Sequence, residues 1–252
     1  MAKTTVAHEE TLNIPAIKQG IIKLRLIGTT PMFQNRMAAK AQQQLLVGGG
    51  KKTTAERKSI KHDPLNEFRN SAEQLPNGPT ALGLRVIAIK AAMCTAALET
   101  AGITKTSAQR LLFMPGDHVP LYGVPQLRMD IVRSADMART PDVRTRTFLP
   151  TWGCEIEIRF VSPQLSAAGV ATLLCNAGML VGVGDFRQEK GKGSFGSFRV
   201  IGADEPDAEW DTLVSTGGRM QQLAALSSPA YANAETAELM TFWGEEFKRR
   251  AA

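Results

Sequence analysis

The chain has 252 residues, 43% of them hydrophobic and 21% charged, a balance that supplies a folded core and excludes a disordered or fibrous polypeptide. No apolar run reaches the roughly 18 residues of a membrane span, and the opening MAKTTVAHEETLN has no apolar core of a secretory signal, so a cytoplasmic protein without membrane contact is expected. The net charge of +6 matters less than its layout, since it is a basic zone that favours a polyanionic partner.

Residues 1–18 are polar and unpatterned. Gly20–Gly28 sets Ile22, Leu24 and Leu26 against Lys23, Arg25 and Ile27, which predicts a half-buried strand ended by Thr29-Thr30-Pro31. Arg36–Val47 is rich in helix formers and stops at Gly48-Gly49-Gly50. The stretch KKTTAERKSIKHD that follows has one large apolar residue, Ile60. From Lys23 to Lys61 nine Lys/Arg face one acid, Glu56. Asp63-Pro64 starts a short helix, and PNGP at 76–79 is turn chemistry. Residues 29–82 therefore read as a basic insertion between the first strand and the first core helix.

Arg85–Ala101 predicts that helix, with Gly102 after it as a cap. A short helix over Thr104–Leu112 follows. Gln126–Arg133 and Gly153–Val161 alternate as strands with one wet face. The connection between them, carrying Arg139, Arg144 and Arg146, is far longer than the roughly two to five residues of a hairpin loop. It reads as an extended arm. Ser162–Ala177 predicts a second core helix, with Val170, Leu173, Leu174 and Ala177 on one face and Gly178 as its cap.

After this helix comes AGMLVGVGDFRQEKGKGSFGSFRVI. Gly182, Gly184, Gly191, Gly193 and Gly196 alternate there with Arg187, Lys190 and Lys192, and with the aromatics Phe186, Phe195 and Phe198. Glycine lets another backbone approach closely, so this loop is expected to touch a polyanion or a neighbouring subunit. Ser194–Ile201 closes it as a strand, and Phe186, Phe195 and Phe198 are read as core residues in preference to stacking platforms for bases. The remainder is acidic, with nine Asp/Glu against Arg219 from Gly202 to Phe247, and ends in a helix over Ala234–Arg250. Such a segment can mask a basic zone or meet a neighbour's basic face. Cys94, Cys154 and Cys175 are odd in number and widely spaced, which fits buried thiols in a reducing compartment and no zinc site.

Stripped of insertions, the order strand, helix, strand, strand, helix, strand is that of an α+β, ferredoxin-like core. The chain reads as one domain, with its core at about 20–28 and 83–201, the insertion at 29–82 and the acidic extension at 202–252. With the loop GVGDFRQEKGKGSFG at 182–196 and the long arm at 134–152, it resembles the repeat-associated mysterious protein (RAMP) superfamily of CRISPR systems. The run AGMLVGVGDFRQEKGKGSFGSFRV also looks like uncharacterised proteins of tailed bacteriophages. The first resemblance implies a homo-oligomeric protein that binds single-stranded RNA or DNA through backbone contacts, with the arm in the place of the thumb of guide-RNA backbone subunits.

The cations that fit this role are Lys40, Lys51, Lys52, Arg57, Lys58 and Lys61 in the insertion, Arg139, Arg144 and Arg146 in the arm, and Arg187, Lys190 and Lys192 in the loop. Each lysine alone is most simply a solvated charge, and salt bridges to Asp136 and Asp142 compete for the arm arginines. Some members of the superfamily are metal-independent ribonucleases that use a histidine. Of His8, His62 and His118, only His62, in SIKHDP, is set among cations where a general base would meet a 2′-hydroxyl. Metal-spaced acids, a nucleophile elbow and the Gly-Lys-Ser/Thr of a triphosphate loop are missing from the sequence. The expectation is a non-catalytic binding protein without cofactor or metal, with a His62 ribonuclease or a structural phage assembly protein as alternatives.

Overall fold

Strand β1 (Lys18–Gly28) is the middle of the main sheet in a computed structural model that describes residues 16–37, 42, 46, 61–133, 139–190 and 193–251. On one side it runs antiparallel to β8 (Gly153–Ser162), from Lys18↔Ser162 to Ile27↔Gly153. On the other it pairs antiparallel with β9 (Phe198–Gly202), Leu24 opposite Gly202 and Gly28 opposite Phe198. Short strands β3 (Gly83–Arg85), β4 (Leu112–Phe113) and β5 (His118–Tyr122) complete the sheet, whose order is β3-β5-β8-β1-β9 with β4 also on β8. Beside it lies a second antiparallel sheet, in which β7 (Pro141–Leu149) runs between β2 (Met32–Gln34) and β6 (Gln126–Arg133). The fold is α+β with antiparallel sheets.

Alternation decides which face of the main sheet is buried. Leu24 and Leu26 of β1 and Cys154, Ile156, Ile158 and Phe160 of β8 all point into the core, as a period of two requires. Helices α2 (Val86–Ala96) and α4 (Ala167–Leu180) cover them with Ile89, Met93 and Ala96 and with Val170, Leu173, Leu174 and Ala177. Two shorter helices, α1 (Pro64–Ser71) and α3 (Lys105–Leu111), start at Asp63 and Thr104, whose side chains accept from the N–H of Asn66 and Ser107. These are ordinary N-caps.

Three sequence expectations need correction. Gly178 does not cap α4 but lies inside it, where an added Cβ would come 2.1 Å from the Phe198 carbonyl oxygen. The cap role falls to Gly182, at φ +72°, whose N–H donates to Ala177 O at 2.9 Å. Gln126–Arg133 is a strand, as read, but belongs to the second sheet, and β5 takes the place beside β8 that was expected of it. The supposed arm is largely strand β7, paired to β6 from Gln126↔Phe148 to Arg133↔Pro141.

The acidic C-terminal segment is folded onto the rest. Helix α5 (Ala208–Thr216) lays Trp210 edge-on against Tyr122, with ring centroids 5.5 Å apart, and under the Arg25 guanidinium. Arg199 pairs with both Asp207 and Glu209 at 2.8 Å. Part of the acidic stretch therefore neutralises this chain's own sheet. In α6 (Arg219–Ser227) the fully buried Gln222 accepts from the N–H of Ala81 and Leu82 and donates to the carbonyls of Leu121, Gly123 and Gly217. Helix α7 (Ala234–Ala251) rests on β6, with Thr236 Oγ1 accepting from Met129 N. Among the described residues no helix is long and apolar enough to cross a membrane.

Candidate functional site

The glycine-rich loop after α4 is knitted to its own chain. An added Cβ at Gly196 would meet the Val183 carbonyl oxygen at 1.8 Å, at Gly184 the Phe33 oxygen at 2.5 Å, and at Gly193 the Phe186 oxygen at 1.5 Å. Gly184 and Gly196 also have φ of +88° and +75°, open to glycine at little cost. The close approach inferred from these glycines is thus intramolecular: β2 and the two limbs of the loop are the backbones that come near. Asp185 N donates to Phe33 O at 2.9 Å and Gly196 N to Pro31 O at 2.8 Å.

Beneath the loop lies Arg146 of β7, with 4% of its side chain exposed. Its guanidinium donates to Asp130 Oδ2 at 2.7 Å and Asp185 Oδ2 at 3.1 Å and sits 4.3 Å from the centre of the Phe33 ring. Next to it, on the opposed β6 position, Arg128 lies 5.2 Å from both the Phe33 and Phe148 rings and 5.8 Å from Phe195. Two like charges face each other across the ladder, and the carboxylates and π faces around them offset the repulsion. Arg146 is therefore committed to an internal ion pair, with Asp130 and Asp185 as partners where Asp136 and Asp142 were considered. Of the three loop aromatics, Phe198 is buried as expected, Phe195 is half-buried and Phe186 is exposed.

In front of the loop a depression of about 550 Å³ is lined by Gly182, Gly184, Asp185 and Arg187. Asn35, Arg36 and Met37 after β2 line it too, Asn35 donating to Asp185 Oδ2 at 3.0 Å, as do Leu84 of β3 and Ala88 and Ala91 of α2. Three guanidinium groups edge it: Arg36, Arg85 and Arg187. Arg36 and Arg85 share the carboxylate of Glu73, which also lies 3.6 Å from His118 Nε2. Arg187 pairs with Glu189 at 2.7 Å and donates to Gly184 O. Arg36 and Arg85 escaped the sequence reading because both begin helix-like runs, and only folding brings positions 36, 73, 85 and 187 to one rim.

A second depression, of about 390 Å³, shares Asn35, Arg36 and Met37 with the first and continues past His62, Asp142 and Arg144. The two adjoin along Asn35, Arg36 and Met37. Lys61 hydrogen-bonds to Asp142, and this bond, with that of His62, holds the Asp142 carboxyl below its usual range. His62 places Nδ1 2.8 Å from Glu67 and Nε2 3.0 Å from Asp142. Both ring nitrogens therefore already have a carboxylate partner.

The structure thus gathers Arg187, Gly182 and Gly184 around the first depression and His62 and Arg144 around the second. Lys61 adjoins the second through Asp142. Arg139 is exposed, at φ +47°. Lys40, Lys51, Lys52, Arg57, Lys58, Gly191 and Lys192, and the side chain of Lys190, fall outside the described residues. Among those described, no group of three His, Cys, Asp or Glu is placed to hold a metal ion. Cys154 is fully buried, which pushes its thiol up to about 12.

No family model matches the chain, and no curated protein matches it. Among solved structures it is similar to a chain of the cryo-EM structure of the type III-B Cmr-beta bound to cognate target RNA. The identity is 14% and the TM-score 0.33, over 73% of this chain and 61% of that one. The chain spans about three-fifths of that neighbour's length.

Proposed function

We propose that the protein binds single-stranded nucleic acid along the path from Arg187 past Arg36 and Arg85 to Arg144, without chemistry. The observation that carries this reading is the convergence of Arg36, Arg85 and Arg187, from three distant segments, on one depression that Leu84, Ala88 and Ala91 also line. Sequence-tolerant binding of single strands needs that combination: cations for phosphates and apolar surface for bases. The outer face of the main sheet offers less. Arg25 there is bound to Glu155 and to the Glu205 carbonyl, and α5 covers the neighbourhood with Trp210. The strand order β5-β8-β1-β9, with α2 and α4 as the intervening helices, supports a ferredoxin-like reading of the core.

The test is fluorescence anisotropy of labelled single-stranded RNA and DNA titrated with the full chain over a series of salt concentrations. Affinity is expected to fall with salt by a log–log slope of about 0.7 per phosphate contact. Arg187→Glu and Arg144→Glu should each weaken binding and make that slope shallower. Protein freed of co-purifying nucleic acid that shows no salt-sensitive affinity for either strand type sinks the proposal.

A further inference from the structure

Phe186 is the residue of the loop that neither the core nor the ring of charges accounts for. It adopts φ +58°, a conformation open to glycine but disfavoured for side chains with a Cβ, and leaves 44% of its surface in water. It cannot relax. Asp185 before it is bonded to Phe33 and Arg187 after it bridges to Phe195, while Gly193 presses on its carbonyl. The ring is also backed: Phe195 lies 6.0 Å away at 32°, and the Arg146 guanidinium carbon is 5.7 Å from its centre. Arg146 in turn is fixed by two carboxylates, and its buried Nε has no hydrogen-bond partner among the described residues. Phe195 and Arg146 thus back the ring, and 44% of the residue stays in water.

We propose that Phe186 is a stacking platform for one nucleobase of the bound strand, an inference that rests on the single-strand reading above. Asp185 and Arg187, its two neighbours, both line the depression, so a strand whose phosphate meets Arg187 carries a base past residue 186. Every base has a π face, so an aromatic here adds affinity without sequence preference. The rigid backing lowers the entropy lost when the ring is covered.

The experiment uses the full chain and single-stranded oligonucleotides in which 2-aminopurine, quenched on stacking, replaces one base at successive positions. Phe186→Leu keeps an apolar cover over Arg146 but removes the π face. It is expected to lose about tenfold in affinity, with the salt slope unchanged and quenching lost at one position. Phe186→Trp is expected to keep the affinity, and its indole emission should change on binding. A Leu variant that binds and quenches like the parent overturns the inference, as does one whose salt slope falls with its affinity, or a Trp variant blind to the strand. Parent protein that binds no single strand at all fails the underlying reading as well. Binding with normal salt dependence and an indifferent residue 186 fails this inference alone.

Discussion

Asp185 in the glycine-rich loop and Arg146 in the middle of β7 lie 3.1 Å apart, carboxylate oxygen to guanidinium nitrogen. This contact joins the loop after α4 to the second sheet, because Arg146 simultaneously holds Asp130 on β6 at 2.7 Å. The position of the loop's glycines thus depends on a buried charge in β7.

Removing that charge leaves Asp185 without its cation, while Asp130 keeps Arg128 at 3.1 Å. Arg146→Met is expected to cost about 3 kcal/mol, toward the low end for breaking a buried pair because Asp185 is 38% exposed. Arg146→Lys should recover only part of this, since an ammonium lacks the planar fork that meets two carboxylates and lies flat on Phe33. Urea unfolding measures both. A Met variant within about 1 kcal/mol of the parent, the worth of a surface pair, contradicts the assigned role.

Glycines with the same backbone sign should differ sharply. Gly196→Ala places a Cβ against the Val183 oxygen and is expected to lower stability by more than about 2 kcal/mol. Gly102→Ala, at φ +85° but with nothing within 4 Å, carries only the left-handed penalty of about 1 kcal/mol. Thermal melts of the two variants, compared with the parent, check the order. Equal losses would mean that conformation rather than contact governs the loop.

Much of the main sheet was legible because alternation reports burial directly: β1, β8 and both core helices followed from the spacing of Leu24, Leu26, Ile156, Ile158, Val170 and Leu173. Alternation says nothing about partners, so β6 was recognised as a strand and assigned to the wrong sheet. β7 was hidden by its own chemistry, since Arg144 and Arg146 made it look like an exposed arm when Arg146 is buried. Pro120, a residue normally kept out of strand interiors, concealed β5. The rim of Arg36 and Arg85 depends on tertiary contacts with Glu73 alone, and no local pattern encodes it.

Acid should loosen the far end of the path. Lys61 above all, and His62 after it, lower the Asp142 carboxyl from its ordinary value of 3.8. A carboxylate depressed in the folded state adds stability that is fully present above 3.8 and is lost as pH falls through the folded value. Asp142→Asn should therefore lower the melting temperature at neutral pH, yet flatten its decline below pH 3.8 relative to the parent. Parallel declines in the two proteins would exclude Asp142 as a contributor.

Glu73 offers a change of the opposite sign. Its carboxylate, 15% exposed, is shared by Arg36 and Arg85, so it cancels charge at the rim where a phosphate would sit. Glu73→Gln keeps the shape of the side chain and returns one positive charge to the depression. The lost pairs are partly exposed on the arginine side, and stability should fall by about 1 kcal/mol or less. Affinity for single strands should rise, by roughly threefold to tenfold at low salt for one charge acting over a few ångströms in a partly wet site. The gain should shrink as salt shortens the screening length, so the log–log plot steepens. His118, 3.6 Å from the same carboxylate, is left without its anionic neighbour, and His118→Gln in the same background separates its contribution. If Glu73→Gln binds no better than the parent at low salt, the strand does not pass Arg36 and Arg85, and the path proposed for it is wrong at its centre.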